Sequence, residues 1–227
     1  MLATRTIAGN AHLLPIDRND PTLVLYLPLW YPYGDLTGNT IYSYDKNRHA
    51  CTVSNAVWGT TGRTFDGADD DINCGNPTIL DNLLGDMTVI VWINPTGEGE
   101  NSGGRAVDKG MIRLYMAGAR CAFSITVSTA SKTATSAADS VPLGSWTHVA
   151  GVFNSTNVLI YTNLTLVTGD ATAGPVDAHA ATNLYVGDNT SSNRCFNGII
   201  GEVLVYNRAL PLGEITRNYQ TTKWRYT

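Results

Sequence analysis

After residue 21 the chain reads as short apolar runs cut by Gly, Asn, Asp and Pro. The runs are Leu23–Leu29, Val53–Trp58, Met87–Ile93, Met111–Met116, Ala122–Val127, Trp146–Phe153, Val158–Tyr161, Leu184–Val186 and Ile199–Tyr206. Val, Ile, Thr, Tyr and Trp dominate them, and these residue types pack well on a pleated surface. Runs of this length between turn residues predict strands, and their number and spacing predict a sandwich or barrel. Two stretches read as helix. Ile79–Leu84 predicts a single turn. Leu212–Tyr219 follows Pro211, a helix-starting residue, and carries Glu214 where the helix dipole favours it. Ser128–Ser140, rich in Ala, Ser and Thr, reads either as a strand pair at a sheet edge or as a mobile loop. There is no βαβ alternation and no fixed-period repeat.

Alternation assigns faces. Val89, Val91 and Ile93 share one side of their run, Ile90 and Trp92 the other. Both sides are apolar, so this strand is expected to be central with its second face also covered. Val149 and Phe153 share a face opposite Trp146 and His148. Plain alternation puts Glu202 on the face of Ile200 and Leu204.

The polar, irregular segment before residue 22 predicts an arm or linker over 1–21, with one sandwich domain over 22–227. Its large apolar residues, Leu2, Ile7, Leu13, Leu14 and Ile16, are too few to form a core. Such a segment lies along its own sandwich or pairs with a neighbouring subunit. The second alternative predicts self-association.

Composition narrows the partners. Hydrophobic residues make up 43% of the chain and charged residues 15%, against about 25% charged in an average domain. Solubility must then come from Asn, Thr, Ser and Gly, as in secreted or virion-borne β proteins. A net charge of −4 without clustered Lys and Arg argues against nucleic acid. No run approaches the ~20 apolar residues of a membrane span, and Met1–Asn10 has no signal-like apolar core. Cys51, Cys74, Cys121 and Cys195 form no CxxC pattern, which disfavours zinc. Two disulfides or four buried thiols both fit.

The acidic residues argue against an enzyme. Retaining glucanases need carboxylates at alternating strand positions. The chain has Glu98 and Glu100 around Gly99 in a Gly-rich loop, then only Glu202 and Glu214. A Gly-x-Ser-x-Gly elbow is absent. Glu202, buried in an apolar strand, requires a partner: calcium, Arg208, or backbone N–H groups near the helix. Asp66, Asp69 and Asp70 cluster beside Asp71 in one turn, with Asp45 and Asn47 in a second loop. These supply the oxygen ligands that calcium takes, though Asp and Asn are also ordinary turn residues. The loop Trp30-Tyr31-Pro32-Tyr33-Gly34-Asp35 is unusually aromatic, with Tyr42 and Tyr44 following. Its rings either cap the core or form an exposed platform for sugar rings or protein.

Several segments occur in a telling order: Leu25-Tyr26-Leu27-Pro28-Leu29, Phe65-Asp66-Gly67-Ala68-Asp69-Asp70, Met87–Pro95 with Trp92, Trp146-Thr147-His148-Val149-Ala150-Gly151, and Phe196–Leu210. Together they resemble the laminin-G-like jelly-roll family of the concanavalin-A-like lectin/glucanase superfamily, over roughly Leu23 to Tyr219. The resemblance implies an all-β, two-sheet antiparallel β-sandwich with a short C-terminal helix. It implies binding of glycans or proteins, often with calcium, in secreted or phage structural proteins. Three positions depart from the family pattern. Asn163-Leu164 stands where an Asn-Gly turn is usual, and since Leu tolerates positive φ poorly a different turn type is expected. Gly201 replaces an Asp before Glu202, and Trp30 lies where the family usually has an acidic residue close by. The functional expectation is a non-catalytic binding or structural module on a virion or cell surface, recognising glycans at Trp30, Tyr31, Tyr33, Tyr42 and Tyr44. The alternative is a purely structural decoration protein.

Overall fold

A computed structural model describes residues 16–31, 39–179 and 182–226. Among these, sixteen strands form two antiparallel sheets. In chain order they begin β1 (Leu23–Pro28), β2 (Thr40–Tyr42), β3 (Ala50–Ser54), β4 (Val57–Gly59), β5 (Gly62–Asp66) and β6 (Asp71–Asn73). They continue with β7 (Met87–Pro95), β8 (Arg105–Asp108), β9 (Ile112–Met116), β10 (Cys121–Val127) and β11 (Ala130–Thr135). The last are β12 (Thr147–Phe153), β13 (Asn157–Thr162), β14 (Thr165–Ala171), β15 (Tyr185–Val186) and β16 (Asn197–Tyr206). A one-turn helix α1 (Thr78–Asp81) precedes β7. Helix α2 (Leu212–Thr222) follows β16 and ends in a 3-10 turn at Lys223–Arg225.

The first sheet has the order β14-β13-β12-β7-β16-β5-β4, with β1 also paired to β16. The second has the order β11-β10-β9-β8-β15-β6-β3-β2. The Ser128–Ser140 stretch thus supplies an edge strand, β11. The predicted Val53–Trp58 strand is instead two. Asn55 adopts φ +58, and the chain leaves the second sheet at Ser54 to enter the first at Val57. Asn is among the few residues that visit this region cheaply.

The main core lies between the sheets and includes Val89, Val91, Ile93, Val149, Phe153, Val203 and Val205. A smaller cluster covers the outer face of the first sheet: Leu23, Tyr26, Ile90, Ala150, Val152, Leu204, Tyr206 and Ile215. Ile215 belongs to α2, so the helix is what buries this second face. Helix α2 begins after Pro211, as its sequence predicts. Ile16, within the predicted arm over 1–21, also packs on this cluster; residues 1–15 of the arm lie outside the described residues. All four cysteines are buried free thiols.

Two local expectations are corrected. The β13–β14 turn does place Leu164 at φ +72, beside Asn163 at φ +45, the signs of a type I′ hairpin turn. Two contacts hold it there. Leu164 packs against the outer cluster, and the Asn163 side chain accepts the His148 backbone N–H at 3.0 Å. These offset the roughly 1–2 kcal/mol that a left-handed residue costs. The second correction concerns Glu202. The register of β16 against β7 slips between Ile200 and Glu202, a bulge at Gly201 that reverses the alternation. Ile200 therefore faces the main core, while Leu204 faces the outer cluster and Glu202 turns outward with it.

Candidate functional site

Strand β1 sends Tyr26 to the outer face of the first sheet. The Tyr31 N–H donates to the Pro28 carbonyl at 2.9 Å and turns the chain just past Trp30. The Tyr44 N–H donates to the Tyr26 carbonyl at 2.7 Å, which lays the Tyr44 loop beside β1. The rings then form a chain of contacts. Trp30 meets Tyr31 edge-on at 5.9 Å between centroids, and Tyr31 meets Tyr44 at 5.3 Å. Trp30 and Tyr44 line a cleft of about 520 Å³ with Arg18, Thr221, Trp224 and Arg225. The Arg225 guanidinium lies 3.5 Å from the Trp30 ring centroid and 4.5 Å from that of Trp224. Arg18 sits 4.2 Å over Tyr44. Trp224 is 67% exposed, and its indole N–H is held by the Thr221 carbonyl at 2.9 Å.

Beneath the cleft floor lies Glu202, fully buried. One carboxylate oxygen lies 3.4 Å from both the Tyr26 hydroxyl and the Trp30 indole N–H. The other has no hydrogen-bond partner among the described residues. Burial pushes the Glu202 carboxyl up to about 7, against the pull of Arg225, Trp30, Thr222 and Tyr26. Among the described residues, none of those groups is a carboxylate. Arg208, an expected partner, instead binds Glu214 at 2.6 Å and Asp20 at 3.2 Å.

Next to Glu202 the covering helix stacks on the sheet. Tyr226 lies 4.6 Å from Trp92 and 4.6 Å from Trp146, and Tyr219 stacks on Trp92 at 5.5 Å. A side chain at Gly201 would put its Cβ 2.4 Å from the Tyr226 ring. The departure at Gly201 therefore makes room for Tyr226. His148 Nε2 contacts Asn218 Oδ1 at 2.9 Å, and burial drives its pKa down to about 4. This contact ties β12 to the covering helix.

Asp66, Asp69 and Asp70 place carboxylate oxygens within 4.8 Å of one another. Burial raises the Asp70 pKa, and the charges of Asp66, Asp69 and Asp71 add to it. Asp70 accepts the Asp66 N–H at 2.8 Å, and Asp66 accepts the Ala68 N–H at 2.8 Å. The other residues expected at a metal lie elsewhere. Asp45 accepts the Tyr26 and Asn47 N–H groups at 2.9 and 2.8 Å, and Asn47 reaches the Val24 carbonyl at 3.5 Å. Both fasten their loop to β1. Asp66 pairs with Asn197, five residues along β16 from Glu202, or about 16 Å. Three carboxylates are hard oxygen donors suited to calcium, but they fall short of its ~6–8 ligands without carbonyls or water.

A laminin-G-type family model, described as the concanavalin A-like lectin/glucanases superfamily, matches residues 46–216. The chain belongs to this superfamily. No curated protein matches it. The binding domain of botulinum neurotoxin serotype D superposes with a TM-score of 0.65 at 14% identity, over 88% of this chain and 51% of that one. A Trypanosoma rangeli sialidase in complex with sialic acid superposes with a TM-score of 0.66 at 13% identity, over 91% of this chain and 34% of that one. The chain thus spans about half the length of the toxin binding domain. At such identities the likeness is one of fold.

The superfamily match ends at residue 216, before Thr221, Trp224 and Arg225, which build one wall of the cleft. The sequence reading missed these residues and Arg18. The available signal was the Lys223-Trp224-Arg225-Tyr226 alternation of cations and aromatics directly after a predicted helix. Tyr42 does not line the cleft. It is 48% exposed on β2, 5.8 Å from Arg48, which borders a shallower hollow shared with Arg18 and Tyr44. Tyr33 lies outside the described residues.

Proposed function

We propose that the chain is a non-catalytic binding module that recognises glycans, displayed on a virion or cell surface. The observation that carries this reading is the cleft itself. An exposed Trp224, with Trp30 and Tyr44, surrounds a space of about 520 Å³, within the ~300–1,000 Å³ usual for small-ligand sites. Indole and phenol faces suit the C–H faces of sugar rings, and Arg18 and Arg225 add donors for hydroxyl or acid groups. The superfamily and the glycan- and receptor-related neighbours support the same class. A non-catalytic role is supported by the described groups that act on Glu202, which are Arg225, Trp30, Thr222 and Tyr26, and include no second carboxylate. Calcium at the Asp66–Asp70 loop is a separate proposal, supported by the convergence of three carboxylates.

The test is binding of the fluorescently labelled chain to arrayed neutral and acidic glycans, followed by titration of Trp224→Ala. Trp224 is largely exposed, so the variant should melt at the wild-type temperature. Its affinity should fall about thirtyfold, the ~2 kcal/mol typical of an aromatic hot spot. A wild-type chain that binds no arrayed glycan would favour the structural decoration role instead.

A further inference from the structure

Lys109 is buried to 1% exposure and does not line the aromatic cleft. It sits in the turn between β8 and β9, where Gly110 takes φ +69. Its Nζ lies 2.5 Å from Asn76 Oδ1 and 2.6 Å from the Thr182 carbonyl. Asp81 Oδ1 is 3.6 Å away, and that oxygen is buried with no hydrogen bond of its own among the described residues. Because a C=O bond is ~1.23 Å, Nζ can be no farther than about 3.7 Å from the Asn76 amide carbon. That is close to the ~3–3.5 Å of a near-attack pair. Burial lowers the Lys109 pKa, while Asp81 opposes the shift. The buried His179 also faces this group, its own pKa lowered by burial and then by the Lys109 charge.

A buried amine held against a half-buried carboxamide and a half-buried carboxylate supplies the components of an amide exchange. We propose that Lys109 and Asn76 join in an intramolecular isopeptide bond, with Asp81 as the proton carrier. Asp81 takes a proton from the Lys109 ammonium and leaves a neutral amine. The Nζ lone pair forms a bond to Asn76 Cγ. The tetrahedral intermediate collapses, the Cγ–Nδ2 bond breaks, and a proton leaving Nζ passes to Nδ2. The proton held by Asp81 goes with the departing ammonia, which leaves as ammonium. Charge and atoms balance without an oxidant or cofactor, and dilution of the released ammonium into solvent makes the step one-way.

The position gives the bond a purpose. β15 has only two residues and bridges β6 and β8. A link from Asn76, just after β6, to Lys109, just after β8, fastens the two neighbours of that short strand together. The four cysteines supply no disulfide for this task.

Intact-mass measurement of the full chain, denatured, decides the matter. The expected mass is that of the sequence less one ammonia, with a branched peptide joining the Asn76 and Lys109 fragments. Lys109→Arg and Asn76→Ala should each return to their full sequence mass. Asp81→Asn, which keeps the shape of the side chain, should fold and remain unlinked. A folded wild-type chain at full sequence mass would overturn the proposal. So would ammonia loss that maps to another residue, such as a cyclised asparagine. A linked Asp81→Asn variant would overturn the role given to Asp81.

Discussion

The outer faces of the two sheets are built on opposite plans. On the first sheet β1, β7, β12 and β16 are buried along nearly their whole length, because α2 and the 3-10 turn after it lie across them. On the second sheet β2, β3 and β9 alternate, with Ile41, Cys51, Val53, Ile112 and Leu114 inward and Thr40, Thr52, Arg113 and Tyr115 outward. An antiparallel sheet can face water on one side, and the second does so at β2, β3 and β9, although β10 within it is buried along its whole length. The first has given up that freedom, and the seam between its sheet and its cover is where Glu202, the Trp92 stack and the aromatic cleft all lie. A covered face creates buried polar groups, edges and clefts that a solvated face does not.

The largest test of this contrast is truncation on each face. Trp92 is 3% exposed, stacked on two tyrosines, and donates to the Thr222 hydroxyl at 2.8 Å. Trp92→Ala should lower unfolding free energy by about 3–5 kcal/mol. Thr52→Ala, opposite Thr40 on the solvated face, should lose under about 1 kcal/mol. Urea denaturation of both variants checks this. Equal losses would mean that α2 does not hold the first sheet.

A smaller effect, visible only with pH, separates two groups under the same cover. Glu202 moves from an ordinary 4.5 up to about 7. A raised pKa gives stability that is full below pH 4.5 and lost as pH rises through about 7. His148 moves from 6.5 down to about 4. A lowered pKa gives stability that is full above pH 6.5 and lost as pH falls through about 4. At 1.36 kcal/mol per pKa unit each is worth up to roughly 3 kcal/mol, with opposite slopes between them. Stability measured from pH 4 to 8 should therefore diverge. Glu202→Gln should gain on wild type as pH rises from 4.5 to 7. His148→Gln should gain on it as pH falls from 6.5 to 4. Parallel curves for the two variants would show that neither group titrates under the helix.

How much of this was legible in sequence follows the same division. Strands with one wet face announce themselves by alternation, and strands with two dry faces by continuous apolar runs, so β7 and its covering were readable from Ile90 and Trp92. Changes of phase were not. Asn55 and Gly201 are residue types that often break a strand or mark a bulge, but only the paired neighbours reveal that one ends a sheet and the other bulges. Leu164 was misread because the contacts that hold it at positive φ lie on other strands. The cleft was half legible: Trp30 and Tyr44 stand out as aromatics in polar loops, while Tyr31 touches both rings without lining the cleft. Arg18, Trp224 and Arg225 are distant in sequence and join them only because the end of β1 lies under the end of α2.

The smallest expected effect lies away from the covered face, at the turn between β5 and β6. Asp66, Asp69 and Asp70 hold their carboxylates within 4.8 Å, and burial raises Asp70, with the repulsion of its Asp neighbours adding to it. A calcium ion would convert that repulsion into attraction, and it would bind the folded turn better than the unfolded chain. Linkage then gives a stabilisation of RT ln(1 + [L]/Kd), about 1.4 kcal/mol at a tenfold excess over Kd. The melting temperature in millimolar calcium should exceed that in EDTA by a few degrees. Asp69→Asn makes the cleaner control, because Asp66 and Asp70 also accept backbone N–H groups and Asp69 is exposed. This variant should melt at or slightly above the wild type in EDTA, since one repelling charge is gone, and should lose most of the calcium response. An identical melting temperature in calcium and EDTA, with no calcium found in the purified chain by metal analysis, would leave the turn as hydrogen-bonded acidic residues and confine ligand binding to the covered face.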